Sequence, residues 1–357
     1  MTTRIVHLHP ERLTDVLRAL FTAHGSSDQE ADDISQHLVE ADLAGHPSHG
    51  SGLTPNYVAG VMRGSIKVNR RAERIATKGS FLLFNGDGGF GQTVGLQVTD
   101  TVADAVAKRG TAVFGLRNVH HLGRIGTYGE RLAAASIISA LFVNVASRPM
   151  VAPFRGRTAR LGTNPVCITI PRPASAPVVL DFATSTIAIG KVRVAMESGK
   201  PVPAGTLIDS AGNQTTDPAV MYADPPGALT PMAGHKGAGL NIICELLAAC
   251  IGGAIMKEDH EQGVILNNMV GMAFALGTVS GAEAALEEAI AYFRASPTFD
   301  GEIARLPGDV ERESRARLLK SGVPMPAATW EKIVELAFSA GLARQKLNAV
   351  SNNGANA

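Results

Sequence analysis

The stretch FLLFNGDGGFGQTVGLQVTDTVADAVAKRGTAVFGL sets Gly86, Gly88 and Gly91 in the spacing GxGxxG, between an apolar run and a run with helical spacing. In a dinucleotide-binding βαβ unit such glycines admit a pyrophosphate at a helix N-terminus, and a unit of that kind would commit the chain to a doubly wound parallel sheet. The flanks fit: Phe81 to Phe84 reads as a buried strand, Thr99 to Lys108 as a helix and Thr111 to Leu116 as a second strand. The acidic residue that should end the second strand and bond a ribose is absent. That strand runs into GLRNVHH, and Asp104 falls inside the helix. Asp87-Gly88-Gly89 also reads as an ordinary turn, and the sequence favours the turn over a cofactor loop.

At 357 residues the chain has room for two or three domains and a large core. A net charge of +1 leaves no electrostatic footprint for nucleic acid or an anionic membrane, so the expected partners are small molecules or other protein chains. The cysteines Cys167, Cys244 and Cys250 stand in apolar settings without CxxC spacing, which suggests core residues in a reducing cytoplasm. The N-terminus does not read as a secretory signal. The most apolar stretch, GLNIICELLAACIGGAIM, is interrupted by Asn241 and Glu245 and reads as a buried helix, not a membrane span.

Leu13, Val16, Leu17, Leu20 and Phe21 predict an amphipathic helix stopped at Gly25, and Ser27 with Glu30 predicts a capping box for the next one. That second helix runs out at LAGHPSHGSG. From about 75 to 300, short strands (SALFVNVA, VCITI, APVVLDF) alternate with helices expected near 96–109, 124–136, 236–253 and 281–294. Helical spacing returns around Trp330, Ile333, Val334 and Ala337, and the tail NAVSNNGANA is expected to fray.

Several clusters put polar or glycine residues inside apolar sequence. GHPSHGSG crowds His46, Ser48 and His49 into one loop, which serves a turn as readily as a proton donor. The adjacent His120 and His121 of NVHHLGRIGTYGE invite a metal reading, but strand neighbours point to opposite faces and no HExxH pattern completes a site, so no metal is expected. Arg148, Arg155, Arg157 and Arg160 lie among prolines and glycines, where one could clamp a carboxylate or phosphate. VVLDFATSTIAIGK leads a strand into Asp181 and the hydroxyls Thr184, Ser185 and Thr186. AGHKGAGLNIICELL opens a helix behind His235 and Lys236.

In order and approximate spacing, AGHPSHGS, HHLGRIGTYGE, VAPFRGRTARLGTNP, LDFATSTIAIGK, PVPAGTLIDSAGNQTTDP, HKGAGL, LPGDVE and GVPMPAATW resemble the type 2 malate/L-lactate dehydrogenase family, closest to its hydroxycarboxylate dehydrogenase B subgroup. The resemblance spans residues 44 to 330. It implies an α/β (α+β) fold: a non-Rossmann nicotinamide-binding domain with a largely antiparallel mixed sheet, plus a helical domain from both chain ends. The implied parts are residues 1–74 with the Ser-His-Gly loop, a mixed cofactor- and substrate-binding region over 75–300, and a C-terminal helical part over 301–357 packing on the N-terminal helices. On this reading GDGGFG is a turn. NAD or NADP would lie against Gly123, Arg124 and Ile125; Leu180, Asp181, Phe182 and Ala183; His235 and Lys236; and Gly308, Asp309, Val310 and Glu311. A homodimer with its active site near the subunit boundary is implied as well.

The implied reaction is hydride transfer between NAD(P)H and C2 of a 2-oxo acid, giving a 2-hydroxy acid. His49 is the proton donor, Ser48 orients it or bonds substrate, and His121 is a second candidate for substrate or nicotinamide contact. Many relatives carry an arginine where this chain has Leu53, while Tyr57 follows the pattern. With that guanidinium missing, Arg124 or Arg148 becomes a candidate carboxylate anchor, or the substrate carries a bulky or aromatic side chain near Leu53. Cyclic imines, malate, sulfolactate and ureidoglycolate are further substrates within the family. A metal-dependent hydrolase using His49, His120 or His121 and a non-catalytic nucleotide-binding protein are readings from other classes.

Overall fold

The computed structural model describes residues 4–257, 264–299 and 301–343. In chain order these form β1 (Ile5–Leu8), α1 (Pro10–Ala23), α2 (Asp28–Leu43), α3 (Thr54–Arg63), β2 (Glu73–Lys78), β3 (Phe81–Asn85), α4 (Gly91–Arg109), β4 (Thr111–Val119), α5 (Gly126–Ala134), β5 (Ile137–Ala146), β6 (Val166–Arg172), β7 (Ser175–Phe182) and α6 (Ile189–Glu197). They continue with β8 (Leu207–Ile208), β9 (Gln214–Thr215), β10 (Ala228–Leu229), α7 (His235–Cys250), β11 (Leu266–Ala275), α8 (Ala282–Arg294), α9 (Asp309–Ser321), β12 (Val323–Pro326) and α10 (Ala327–Ser339).

Pro10 opens α1, where a missing N–H costs nothing, and the Leu13–Phe21 stripe is buried. The turn into α2 differs from the expected reciprocal capping box. Ser27 Oγ does accept the Glu30 N–H, but the Glu30 carboxylate is buried and accepts the N–H of Asn69 instead. Asn69, at φ +59°, completes the circuit by accepting the Ser27 N–H and donating to the Gly25 carbonyl. One residue from beyond α3 thus locks the α1–α2 corner. β1 pairs antiparallel with β12, and Leu318, Met325, Trp330 and Ile333 share one core with α1, α2 and α3.

The main sheet has seven strands in the order β2-β3-β4-β11-β5-β6-β7. Every pairing in it is antiparallel except β3–β4, which α4 connects as a βαβ unit. The fold is therefore mixed α/β with a largely antiparallel sheet, and the glycine motif sits in its one parallel crossover. Val94, Val98, Val102, Tyr128 and Leu132 of α4 and α5 cover one face, packing on Phe114, Leu141, Val143, Cys167 and Met269. A small sheet, β10-β8-β9, flanks this body.

The expected helices near 96–109, 124–136, 236–253 and 281–294 are α4, α5, α7 and α8, with shifts at their ends. α4 starts earliest relative to expectation because its first residues Gly91, Gln92 and Thr93 are held by burial, although Gly91 and Thr93 are poor helix formers by propensity. Cys167 and Cys244 are buried, but Cys250, the last residue of α7, is exposed. The tail from Asn348 onward lies outside the described residues. Among the described residues no helix is long and apolar enough to cross a membrane.

Candidate active site

The loop after α2 folds into two single 3-10 turns, Pro47–His49 and Ser51–Leu53, that hand the chain to α3. Asp42, in the last turn of α2, holds this loop from beneath. Its Oδ2 accepts the N–H of Ser51 at 2.8 Å and also the Ser51 hydroxyl. Gly50 is obligatory here, because a Cβ would lie 1.8 Å from Asp42 Oδ1. Burial raises the Asp42 carboxyl to about 7 against the two Ser51 bonds, which lower it.

A second loop meets the first. After β4, His120 and His121 cross the start of α4, where Gly91 has room for their carbonyls and for no side chain. The His49 and His121 rings consequently stack, with centroids 5.5 Å apart and planes at 22°. Ser48 Oγ lies 2.9 Å from His49 Nδ1. On the other ring, Tyr57 of α3 puts its hydroxyl 2.6 Å from His121 Nδ1, and Gln92 Nε2 donates to the same hydroxyl at 2.9 Å. His120 does not point away as strand alternation would require; it lies past the end of β4 and stands edge-on to Tyr57, 5.9 Å between centroids. Among the described residues neither His49 Nε2 nor His121 Nε2 has a hydrogen-bond partner, and neither is sealed from solvent.

Burial lowers all of these imidazoles. His49 falls to about 4, with His46 and Arg124 adding to the effect, and His120 falls to about 4. His121 is pushed well below its ordinary value by burial and then by the neighbouring His49 and His120. Both stacked rings rest neutral near pH 7. His37 is also held neutral, lowered to about 3 by burial and then Arg124, and its Nε2 accepts the Arg124 backbone N–H at 3.0 Å.

The glycine-rich segment beyond His121 converges with two others. Gly123, at φ +73°, abuts His37, leaving no space for a Cβ. Arg124 is buried and makes a two-pronged ion pair with Glu130 at 2.9 and 2.8 Å, while its Nε stands 3.9 Å from Asp181. Burial opposes the guanidinium charge, but these carboxylates more than offset it and hold Arg124 charged. Asp181 accepts the Gly126 N–H at the start of α5. Ile125 is buried, Phe182 and Ala183 are half-buried and Leu180 is exposed. Val179 donates its N–H to Pro307, which brings Gly308, at φ +96° before α9, against β7. Asp309 is taken up by Arg294 and Arg312, and Val310 is exposed. Glu311 reaches back to His46, whose Nε2 lies 3.3 Å away without hydrogen-bond geometry.

His235 and Lys236 are exposed at the start of α7 and join the group indirectly, through Met232 N–H to the Thr184 carbonyl and Phe154 against the His235 ring. Two residues stand apart from this convergence. Arg148 is exposed and forms no ion pair among the described residues, and Leu53 packs partly against the N-terminal core. Gln92, Asp42 and His37 had no distinguishing sequence signal; their importance comes from long-range contacts. Gly190 was missed as well: it opens α6 directly against Ser48, where a Cβ would come within 2.9 Å of the Ser48 Cβ.

Residues 8–334 match the malate/L-lactate dehydrogenase family. The chain belongs to that family. It is 38% identical to hydroxycarboxylate dehydrogenase B of Escherichia coli K12, covering 95% of this chain and 96% of that protein. With L-lactate dehydrogenase of Cupriavidus necator it shares 40% identity, over 88% of this chain and 92% of that one. A solved E. coli structure of the malate/lactate dehydrogenase kind superposes with a TM-score of 0.91 at 38% identity, covering 96% and 98% of the two chains. The chain is thus a hydroxycarboxylate-dehydrogenase-type oxidoreductase by family, with small-molecule substrates.

Proposed function

We propose that this family member is an NAD(P)-dependent enzyme interconverting a 2-oxo acid and a 2-hydroxy acid, with His49 exchanging the proton at the C2 oxygen. The observation that carries the reading is the stacked His49–His121 pair, each ring neutral and each with an Nε2 that has no hydrogen-bond partner among the described residues. The bound nicotinamide supplies or accepts the hydride. The chain's own work is to hold the acid carbonyl against it, exclude water and move one proton.

His49 is suited to that proton because Ser48 can serve either protonation state. Its hydroxyl donates to Nδ1 of the neutral ring and turns to accept from Nδ1–H of the imidazolium. Negative charge on a substrate carboxylate or a forming alkoxide raises the His49 pKa when the site fills. The residues that would hold the dinucleotide are Gly123 to Ile125, Leu180 to Ala183, His235 with Lys236, and Gly308 to Glu311. They fit such a group: among the described residues Arg124 Nε, 3.9 Å from Asp181, and Thr127 Oγ1 in the first turn of α5 are buried donors without a hydrogen bond.

Leu53 in place of a guanidinium favours 2-oxo acids with bulky or aromatic side chains. A second copy of the chain completes the assembly. On the sheet face away from α4 and α5, Val113, Met272, Ala140, Ile168 and Leu180 fall in register as one row across five strands. Four of these, all but Ala140, are 36–47% exposed, an apolar strip of the sort that identical subunits bury. The reaction is tested by NADH and NADPH oxidation with a panel of 2-oxo acids and cyclic imines, for the natural chain and His49→Ala. Loss of turnover in the variant with dinucleotide binding retained is the expected result. Undiminished turnover removes His49 from the mechanism, and a much higher kcat/KM for pyruvate or oxaloacetate than for phenylpyruvate removes the bulky-substrate preference.

A further inference from the structure

The two stacked imidazoles are anchored in different ways. His49 rests on a half-buried serine hydroxyl with no other hydrogen-bond partner among the described residues, which can rotate between donating and accepting. His121 rests on Tyr57, which is buried and already committed: the Gln92 amide donates to the phenol oxygen, so the single phenol proton is left for His121 Nδ1 at 2.6 Å. Gln92 itself is fully buried in the first turn of α4, close to Gly123. In this orientation only its carbonyl oxygen goes unpaired. Turning the amide over would strand an NH2 group in its place, and buried orphan donors are rarer than under-used carbonyls. The chain of donors therefore has one direction, from Gln92 to Tyr57 to His121.

We propose that Gln92 and Tyr57 are positioning residues that hold His121 in the tautomer carrying its proton on Nε2, making it a fixed hydrogen-bond donor to the substrate oxygen beside the proton-exchanging His49. The donor role rests on the dehydrogenase reading; the tautomer does not. A neutral imidazole that only donates polarises a carbonyl without competing for the proton, and a second ring beside it is then free to transfer one. The site divides two tasks between two similar side chains by what stands behind each.

The test is nitrogen NMR of the full-length chain with ¹⁵N-labelled histidine at neutral pH, the His121 signals being assigned by their loss in His121→Asn. The expected spectrum has Nδ1 of His121 in the unprotonated range and Nε2 in the protonated range. In Tyr57→Phe that preference is lost, and kcat for 2-oxo acid reduction falls about tenfold or more with the dinucleotide Kd unchanged. Should Tyr57→Phe not fold, Gln92→Ala takes its place, with mixed His121 tautomers expected. A natural chain with Nδ1 protonated overturns the inference, as does an unaltered tautomer in the variants. An enzyme that shows the expected nitrogens but turns over no carbonyl refutes the dehydrogenase reading and the donor role with it. Full turnover with Nδ1 protonated refutes this inference alone.

Discussion

Replacing Gly91 by alanine distinguishes a glycine that admits a ligand from one that admits protein. The added Cβ would lie 2.3 Å from the His121 carbonyl oxygen and 2.6 Å from that of His120, against about 3.4 Å for ordinary contact. The His120–His121 segment must therefore retreat from α4 by about 1 Å, and because the obstructing atoms are backbone, no side-chain rotation relieves the clash. Overpacking of this kind costs about 1–3 kcal/mol, from which the better helix propensity of alanine returns about 1. The net loss of stability is then at most about 2 kcal/mol, read as a lower urea midpoint. The effect on turnover is larger, since a displacement of about 1 Å in a reacting constellation costs on the order of 100-fold. Gly88→Ala is the control: its φ of +70° makes alanine strained, but no atom stands closer than 3.8 Å, so it loses about 1 kcal/mol of stability and keeps its kcat. Steady-state kinetics and urea titration of both variants check this. If Gly91→Ala kept its kcat and lost only dinucleotide affinity, the loop would be a phosphate cradle after all and the packing argument would fail.

The buried titratable groups set the response to pH. His37 and His120 bind protons less readily folded than unfolded, so stability rises with pH from about 4 to 6.5 by about 1.4 kcal/mol per pH unit for each; Asp42, raised to about 7, contributes the opposite slope between about 4 and 7. Urea midpoints across that range should climb, and Asp42→Asn should climb more steeply; a flat profile would contradict the burial of these rings. In the oxidation direction His49 must begin neutral, so kcat/KM for a 2-hydroxy acid should be level above pH 5 and fall as pH drops through about 4, a profile that His49→Ala would abolish. Thiol titration of the native chain should find one fast cysteine, Cys250, with Cys167 and Cys244 reacting only after unfolding; rapid reaction of more than one would mean that α7 does not pack as described. Met272→Asp, in the middle of the apolar row, should convert a dimer to monomers in sedimentation analysis, and a natural chain already monomeric at micromolar concentration would refute the second copy.

What the sequence conveyed well was what depends on neighbours in the chain. The stripe of α1, the strands of the main sheet and the turn chemistry around Gly88 are local patterns, and the motifs that marked the family are contiguous strings. The α1–α2 corner was only half legible, because its lock is Asn69, far along the chain from Ser27. The same limit governs the site. His49 and His121 each stood out by residue type, but nothing in their spacing says that the rings stack, and Gln92 reads as one more polar residue at a helix start. Its meaning comes from Tyr57 on α3 and from the crossing of the His120–His121 segment over Gly91. The GxGxxG spacing is thus a true signal of close approach whose occupant the pattern alone cannot name. In a Rossmann unit the glycines face a pyrophosphate; here the third faces two peptide carbonyls, and that packing is what brings His121 over His49.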